Sequence, residues 1–295
     1  MLRLNVPVFF EENLNPPFLT MNRLCFFLAA LVLFPTWSFA QFEYRSNWRT
    51  HPGTFKPYVI KLNTPEGVNV LRDVPIDHLH HHALMFAIKV DDVNFWEEYN
   101  PVDYGRQETT SIVETKGEKV ESTLTWTTGV GKPLVLEKRT ITATVIDGAT
   151  ALDWTSVFSL PPGKEKAVLG GNQYHGLGMR FVQPMDIGKY IVPSDAGERE
   201  GNLTPCRWMA YTAKVDGKAV TVALFDMKGN PRPMLAFTMG GNGREFAYLS
   251  ATTNLHREPI TLTPDKPITF RYKLLLWDGE KTQAEIESVN IDGRY

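Results

Sequence analysis

Thr140-Ile141-Thr142-Ala143-Thr144-Val145 alternates β-branched hydroxyl residues with apolar ones. In an extended chain successive side chains point to opposite faces, so Ile141, Ala143 and Val145 share one face and the run predicts a half-buried strand. The same alternation, enriched in β-branched and aromatic residues, recurs outward in both directions, at 58–62, 68–71, 84–90, 122–128, 152–158, 209–213, 220–225, 246–250 and 269–277. Turn-forming residues separate these runs, among them Thr115-Lys116-Gly117-Glu118, Asp147-Gly148 and Pro264-Asp265. Val215-Asp216-Gly217-Lys218 suits a two-residue hairpin, because Asp-Gly tolerates the positive φ angles such a turn needs, and it predicts antiparallel pairing of 209–214 with 219–226. Only 283–289 has a helical pattern, with Ala284 and Ile286 on one weakly apolar side. Many short strands with almost no helix predict an all-β protein, a large antiparallel β-sandwich or two stacked sandwiches, and disfavour a parallel α/β fold.

The chain has 295 residues, 43% hydrophobic and 22% charged, with 22 Gly and 20 Pro dispersed along it, which excludes disordered and collagen-like classes. Its 31 Lys and Arg stand against 33 Asp and Glu, so no basic surface for nucleic acid is expected. Residues 21–40 match a secretory signal: Arg23, the 11-residue apolar run 24–34, then Ser38 and Ala40 at the positions read by a signal peptidase. Pro35 ends the run well short of the roughly 20 residues of a membrane span. The expected organisation is an N-terminal extension and signal over 1–40, with Met21 as an alternative start, and one β-sandwich domain over 41–295, periplasmic or secreted and with no membrane span after cleavage. Cys206 is then the only cysteine left, which rules out an intramolecular disulfide.

Chemistry concentrates in three places. Asp77-His78-Leu79-His80-His81-His82 holds four of the seven histidines. If this stretch is extended, His78, His80 and His82 converge on one side and His81 faces the other. Such imidazoles suit a Zn, Cu, Ni or Fe site completed by Asp77 or a remote carboxylate, or a general acid or base near neutrality. The competing reading has them bonding loop carbonyls only. No Cys pair or His-Glu-x-x-His accompanies them, so a divalent metal is compatible with the set without being required. Asn94-Phe95-Trp96-Glu97-Glu98-Tyr99 sets aromatic faces beside carboxylates, as a sugar cleft requires, against the alternative of core aromatics and a solvated Glu pair. His175-Gly176-Leu177-Gly178-Met179-Arg180 lacks the third glycine and acidic residue of a dinucleotide loop. Its glycines permit close approach of a backbone or ligand, and Arg180 either enters a cleft or pairs with a carboxylate. Arg232, in the rigid turn Asn230-Pro231-Arg232-Pro233, is a candidate for the rim, whereas His256 reads as a surface residue. Gly-x-Ser-x-Gly, P-loop and Cys-x-x-Cys motifs are missing, which removes the usual support for serine hydrolase, NTPase and thiol redox chemistry.

The 77–82 stretch with Phe95-Trp96, the 175–180 stretch, Trp208 with Asp216-Gly217-Lys218, Phe225-Asp226 and 230–233, and the closing Phe270-Arg271-Tyr272-Lys273-Leu274 and Trp277-Asp278-Gly279 together resemble the bacterial methane oxygenase PmoA family over about 60–279. In that family the first motif carries a proline where Leu79 stands and a glycine where Ala83 stands. The resemblance implies a secreted β-sandwich of the galactose-mutarotase-like supersandwich type with a carbohydrate-related role, since the mature chain has none of the apolar spans an integral membrane subunit needs. The leading expectation is a sugar cleft with His80, His81, Glu97 and His175 as catalytic candidates and His78, His82, Trp96, Arg180 and Arg232 as ligand-binding ones. The alternatives are a non-catalytic glycan-binding or scaffold module and a metal-binding enzyme using the histidines.

Overall fold

Alternation in the sequence becomes, in the computed structural model, three antiparallel sheets. The structure describes residues 41–47, 55–193, 203–241 and 246–291, and the expected signal and extension lie outside them. In chain order the strands are β1 (Phe42–Arg45), β2 (Tyr58–Leu62), β3 (Leu84–Ala87), β4 (Lys89–Val90), β5 (Val93–Asn94), β6 (Arg106–Thr115), β7 (Lys119–Thr127), β8 (Pro133–Ile146), β9 (Ala149–Ser159), β10 (Ala167–Gly170), β11 (Gly176–Arg180), β12 (Gly188–Ile191), β13 (Thr204–Pro205), β14 (Trp208–Val215), β15 (Lys218–Asp226), β16 (Leu235–Met239), β17 (Tyr248–Thr252), β18 (Ile260–Leu262) and β19 (Ile268–Asp278). The single α-helix among the described residues, α1 (Gln283–Ser288), starts at Thr282, whose side chain and that of Glu285 form a reciprocal capping box.

A seven-stranded sheet runs β1-β2-β3-β11-β17-β16-β13, an eight-stranded sheet runs β12-β14-β15-β19-β9-β8-β7-β6, and a small sheet runs β18-β10-β4-β5. The expected β-sandwich is the observed class. β14 and β15 pair in the predicted hairpin, Val215 opposite Lys218, with Asp216 and Gly217 both at positive φ. In β8, Ile141 and Ala143 are buried, but Val145 is exposed because it lies at the end of the strand beside the Asp147-Gly148 turn.

Two expectations are revised, and one long strand lies outside the expected runs. The 68–71 run makes only isolated bridges, at Asn69 and Leu71. The 84–90 run divides at Ile88, β3 joining the seven-stranded sheet and β4 the small one. β6, with the polar sequence RQETTSIVET, is a long edge strand in the sheet order; its largely exposed side chains dilute the alternation.

The two large sheets pack face to face through aromatic side chains. Phe86 of β3 meets Trp126 of β7, Phe158 of β9 and Phe270 of β19 at ring separations of 6.5, 5.8 and 5.2 Å. Within this core lies a fully buried ion pair, Glu137 and Arg139, with Nε to Oε1 at 2.8 Å. Trp126 and Ser156 donate to Glu137, while Arg139 donates to the Pro57 carbonyl and to Gln107, so the charges are hydrogen-bonded as burial requires. A second apolar cluster, with Trp208, Phe225, Leu275 and Trp277, buries Ile286 of α1.

Candidate functional site

The register of the seven-stranded sheet decides which side chains reach its other face. Directly paired residues on antiparallel strands project to the same side. Arg180 lies opposite Tyr248, Gly178 opposite Ser250, and on the next strand Phe237 opposite Ser250 and Met239 opposite Tyr248. These residues therefore share a face. At Gly178 a side chain is excluded by contact, since an added Cβ would collide with the Tyr248 hydroxyl and sit 3.0 Å from Trp96 Cη2.

Two loop segments build on this face. The histidine stretch is a pair of turns rather than an extended strand: His78 N–H donates to the Pro75 carbonyl at 3.0 Å, and His81 N–H to the His78 carbonyl at 2.9 Å. Val74 and Ala83, which flank it, both take positive φ, a conformation costly for a residue with a Cβ. The expected two-residue period is thereby replaced. His78, His80 and His81 come together, His78 stacked on His81 at 4.6 Å and His80 edge-on to His81 at 4.7 Å, and His82 turns away.

The result is a cleft of about 200 Å³ lined by His78, His80, His81, Trp96, Glu97, Tyr99, Tyr174, Phe237, Met239, Phe246 and Tyr248. Of the residues expected in the site, His78, His80, His81, Trp96 and Glu97 line it. Trp96 is enclosed, its face stacked on His175 at 5.1 Å and 9°, and so forms a wall rather than an open platform. His175 itself is buried behind that indole with neither ring nitrogen bonded. Arg180 sits beneath Phe246, its Cζ 3.7 Å from the ring centre, and donates from Nη2 to Asp77 at 2.7 Å. Arg232 is outside the cleft, held by the carbonyl and carboxylate of Glu258, and His256 is likewise absent from the lining.

His82, expected to bind ligand, lies outside the lining and is held by carboxylates. Its Nδ1 is 3.1 Å from Asp73 and its Nε2 is 3.0 Å from Glu98, and the ring stacks on Tyr58. Glu98 also pairs with the fully buried Lys56, whose Nζ donates to the Trp96 carbonyl at 2.8 Å. Asp73 in turn accepts from Tyr58 and Arg45. Glu97 and Glu98 thus diverge. Glu97 faces the cleft, accepting from the Tyr174 hydroxyl at 2.8 Å and from Asn94, whereas Glu98 belongs to the buried chain of charges.

Burial dominates the electrostatics of the imidazoles. Desolvation, then the Lys56 ammonium, pushes His80 down to about 4. Desolvation, then His80, takes His81 down to about 2. Desolvation, then two lysines, takes His175 down to about 3. His82 moves the other way: burial would lower it, but its bonds to Asp73 and Glu98 outweigh that and raise it. Burial also raises the Tyr174 hydroxyl to about 12, assisted by Glu97. The cleft accordingly holds neutral His80 and His81 at neutral pH, each ring carrying one N–H donor and one nitrogen acceptor, with Nδ1 of His81 buried and unbonded. Among the described residues no three His, Cys, Asp or Glu side chains are grouped as metal ligands.

The family model of DUF6807, described as a family of unknown function, matches residues 32–290. The chain belongs to this family. The expected PmoA-like membership is corrected by that match, which covers most of the chain. No protein of curated description matches. Among solved structures, the DUF6807 chain resembles a GH36 alpha-galactosidase AgaA variant of Geobacillus stearothermophilus in complex with 1-deoxygalactonojirimycin (13% identity, TM-score 0.38, 59% of this chain and 28% of that one). It also resembles a polysaccharide lyase (11%, 0.39, 82% and 33%) and the heparan sulfate lyase HepC of Pedobacter heparinus (10%, 0.36, 77% and 30%). The chain spans about a third of the length of these structures. No helix of the described residues is long and apolar enough to cross a membrane.

Proposed function

We propose that this DUF6807 protein binds a carbohydrate in the cleft on the outer face of the seven-stranded sheet, with His80 as the group that exchanges a proton with a ligand hydroxyl. The observation that carries the reading is the convergence of three imidazoles and Glu97 inside one aromatic-walled hollow. A pyranose has C–H faces that pack on aromatic walls and hydroxyls that each need a donor and an acceptor. Neutral imidazoles meet both demands without the desolvation cost of a buried charge. The hollow, about 200 Å³, is smaller than the roughly 300–1,000 Å³ of sites for drug-sized ligands, which suits one sugar ring at a time. Tyr99, 71% exposed and edge-on to His80 at 5.4 Å, supplies an accessible aromatic surface at the mouth.

His80→Ala and His81→Ala are expected to weaken binding of the responsive sugar about tenfold or more in calorimetry across a monosaccharide and oligosaccharide panel. Unchanged binding and turnover in both variants overturns the assignment. A second reading, a binding module without turnover, is favoured by one feature. Glu97 is the only carboxylate among the lining residues and is already held by Tyr174 and Asn94, whereas glycoside hydrolysis usually takes two carboxyl groups flanking the bond. Sugar binding with no product after prolonged incubation selects it.

A further inference from the structure

Building on the sugar-cleft reading, we propose that the cleft selects acidic sugars, with the Arg180 guanidinium beneath Phe246 receiving an oxyanion carried on the ring. Arg180 is 1% exposed and projects from β11 onto the same sheet face as Tyr248, its register partner and a lining residue. Its Nε and Nη1 are buried with no acceptor, and only Nη2 is bonded, to Asp77. An arginine with idle donors inside a protein is unusual, because each desolvated N–H without a partner costs free energy. The one acceptor it has is itself informative. The Asp77 side chain stands on the surface turn, 37% exposed, and its Oδ2 faces both Arg180 Nη2 at 2.7 Å and His78 Nδ1 at 3.1 Å. A carboxylate supplied by the chain therefore occupies one edge of the guanidinium while the rest awaits an acceptor.

The cover over this cation belongs to the cleft. Phe246 lines the hollow, touches His78 edge-on at 4.6 Å and lies against the guanidinium, so one ring is shared by Arg180 and the ligand space. Charge is distributed unevenly along the cleft. Glu97 with Tyr174 sets a carboxylate at one side, while at the other the Arg180 guanidinium, paired through Nη2 alone, lies against Phe246. A ring carrying hydroxyls at one side and an oxyanion at the other matches that polarity, and arginine binds carboxylate and sulfate oxygens through charge-assisted hydrogen bonds.

Calorimetry on the full chain with methyl glucoside, methyl glucuronide and glucose 6-sulfate tests this. The expected result is at least about tenfold tighter binding of one anionic sugar than of the neutral one, with the ratio falling to about one in Arg180→Gln. A preference for the glucuronide identifies a carboxylate, and a preference for the sulfate ester a sulfate. Asp77→Asn, at an exposed turn, removes the competing carboxylate and is expected to raise the ratio. Equal affinity for neutral and anionic sugars in the wild type overturns the selectivity alone, as does a ratio that survives Arg180→Gln or falls in Asp77→Asn. Absence of binding by any sugar overturns the cleft reading with it.

Discussion

At the scale of single residues, the cleft depends on what is missing at Gly178. Because a side chain there would displace the Tyr248 hydroxyl and press on Trp96, Gly178→Ala is expected to cost about 1–3 kcal/mol from overpacking and to abolish sugar binding. Thermal denaturation and calorimetry read the two effects. His175 carries a different expectation. Its ring stacks on Trp96 and bonds nothing, so Phe replaces it without losing a hydrogen bond. His80, His81 and His175 all take up protons far less readily folded than unfolded, where the reference is about 6.5. Their contribution to stability is present above about pH 6.5 and is lost as pH falls from there toward their folded values of about 4, 2 and 3. His82 has the opposite sign, favouring the fold below about pH 6.5 and fading as pH rises through its elevated folded value. His175→Phe is therefore expected to fold at pH 7 and to resist acid better than the wild type. Urea midpoints between pH 7 and pH 4 that fall equally in both proteins would contradict this.

At the scale of elements, β8 buries a pair of charges, and from it Arg139 donates to the Pro57 carbonyl just ahead of β2. Arg139→Met leaves Glu137 at zero exposure without its cation, and the expected loss is about 3–5 kcal/mol by chemical denaturation. The same strand shows what the sequence discloses and what it withholds. Its alternation, and the Asp-Gly hairpin between β14 and β15, were legible because local periodicity and turn chemistry agree with tertiary packing. The histidine stretch was legible as a cluster but not as a shape. Its turns rely on positive φ at Val74 and Ala83, residue types that do not announce that conformation, so a period-two reading grouped His82 with the wrong neighbours. Phe237, Met239 and Tyr248 come to one face only through the strand register, and Tyr174 and Phe246 join them from outside the strands, so nothing local marks the five as one site. Arg232 and His175 looked like site residues by type; a loop carbonyl and a buried indole claim them instead.

Over the whole molecule, the sandwich protects its interior in a measurable way. Cys206 is buried and burial pushes its thiol up to about 12, so alkylation at this position under native conditions should be slow. Its rate is expected to rise with denaturant in step with global unfolding, followed by mass spectrometry of the peptide that contains it. Fast native labelling would mean that the Cys206 region opens independently of the rest. The turn that carries the histidines has a further use. Ile76 and Leu79 protrude from it, 91% and 63% exposed, beside imidazoles that line the hollow, while His82 at the far end is clamped between two carboxylates. An environment-sensitive dye coupled to a cysteine introduced at either position would report occupancy of the hollow by its emission, converting the scaffold into its own assay for ligand discovery.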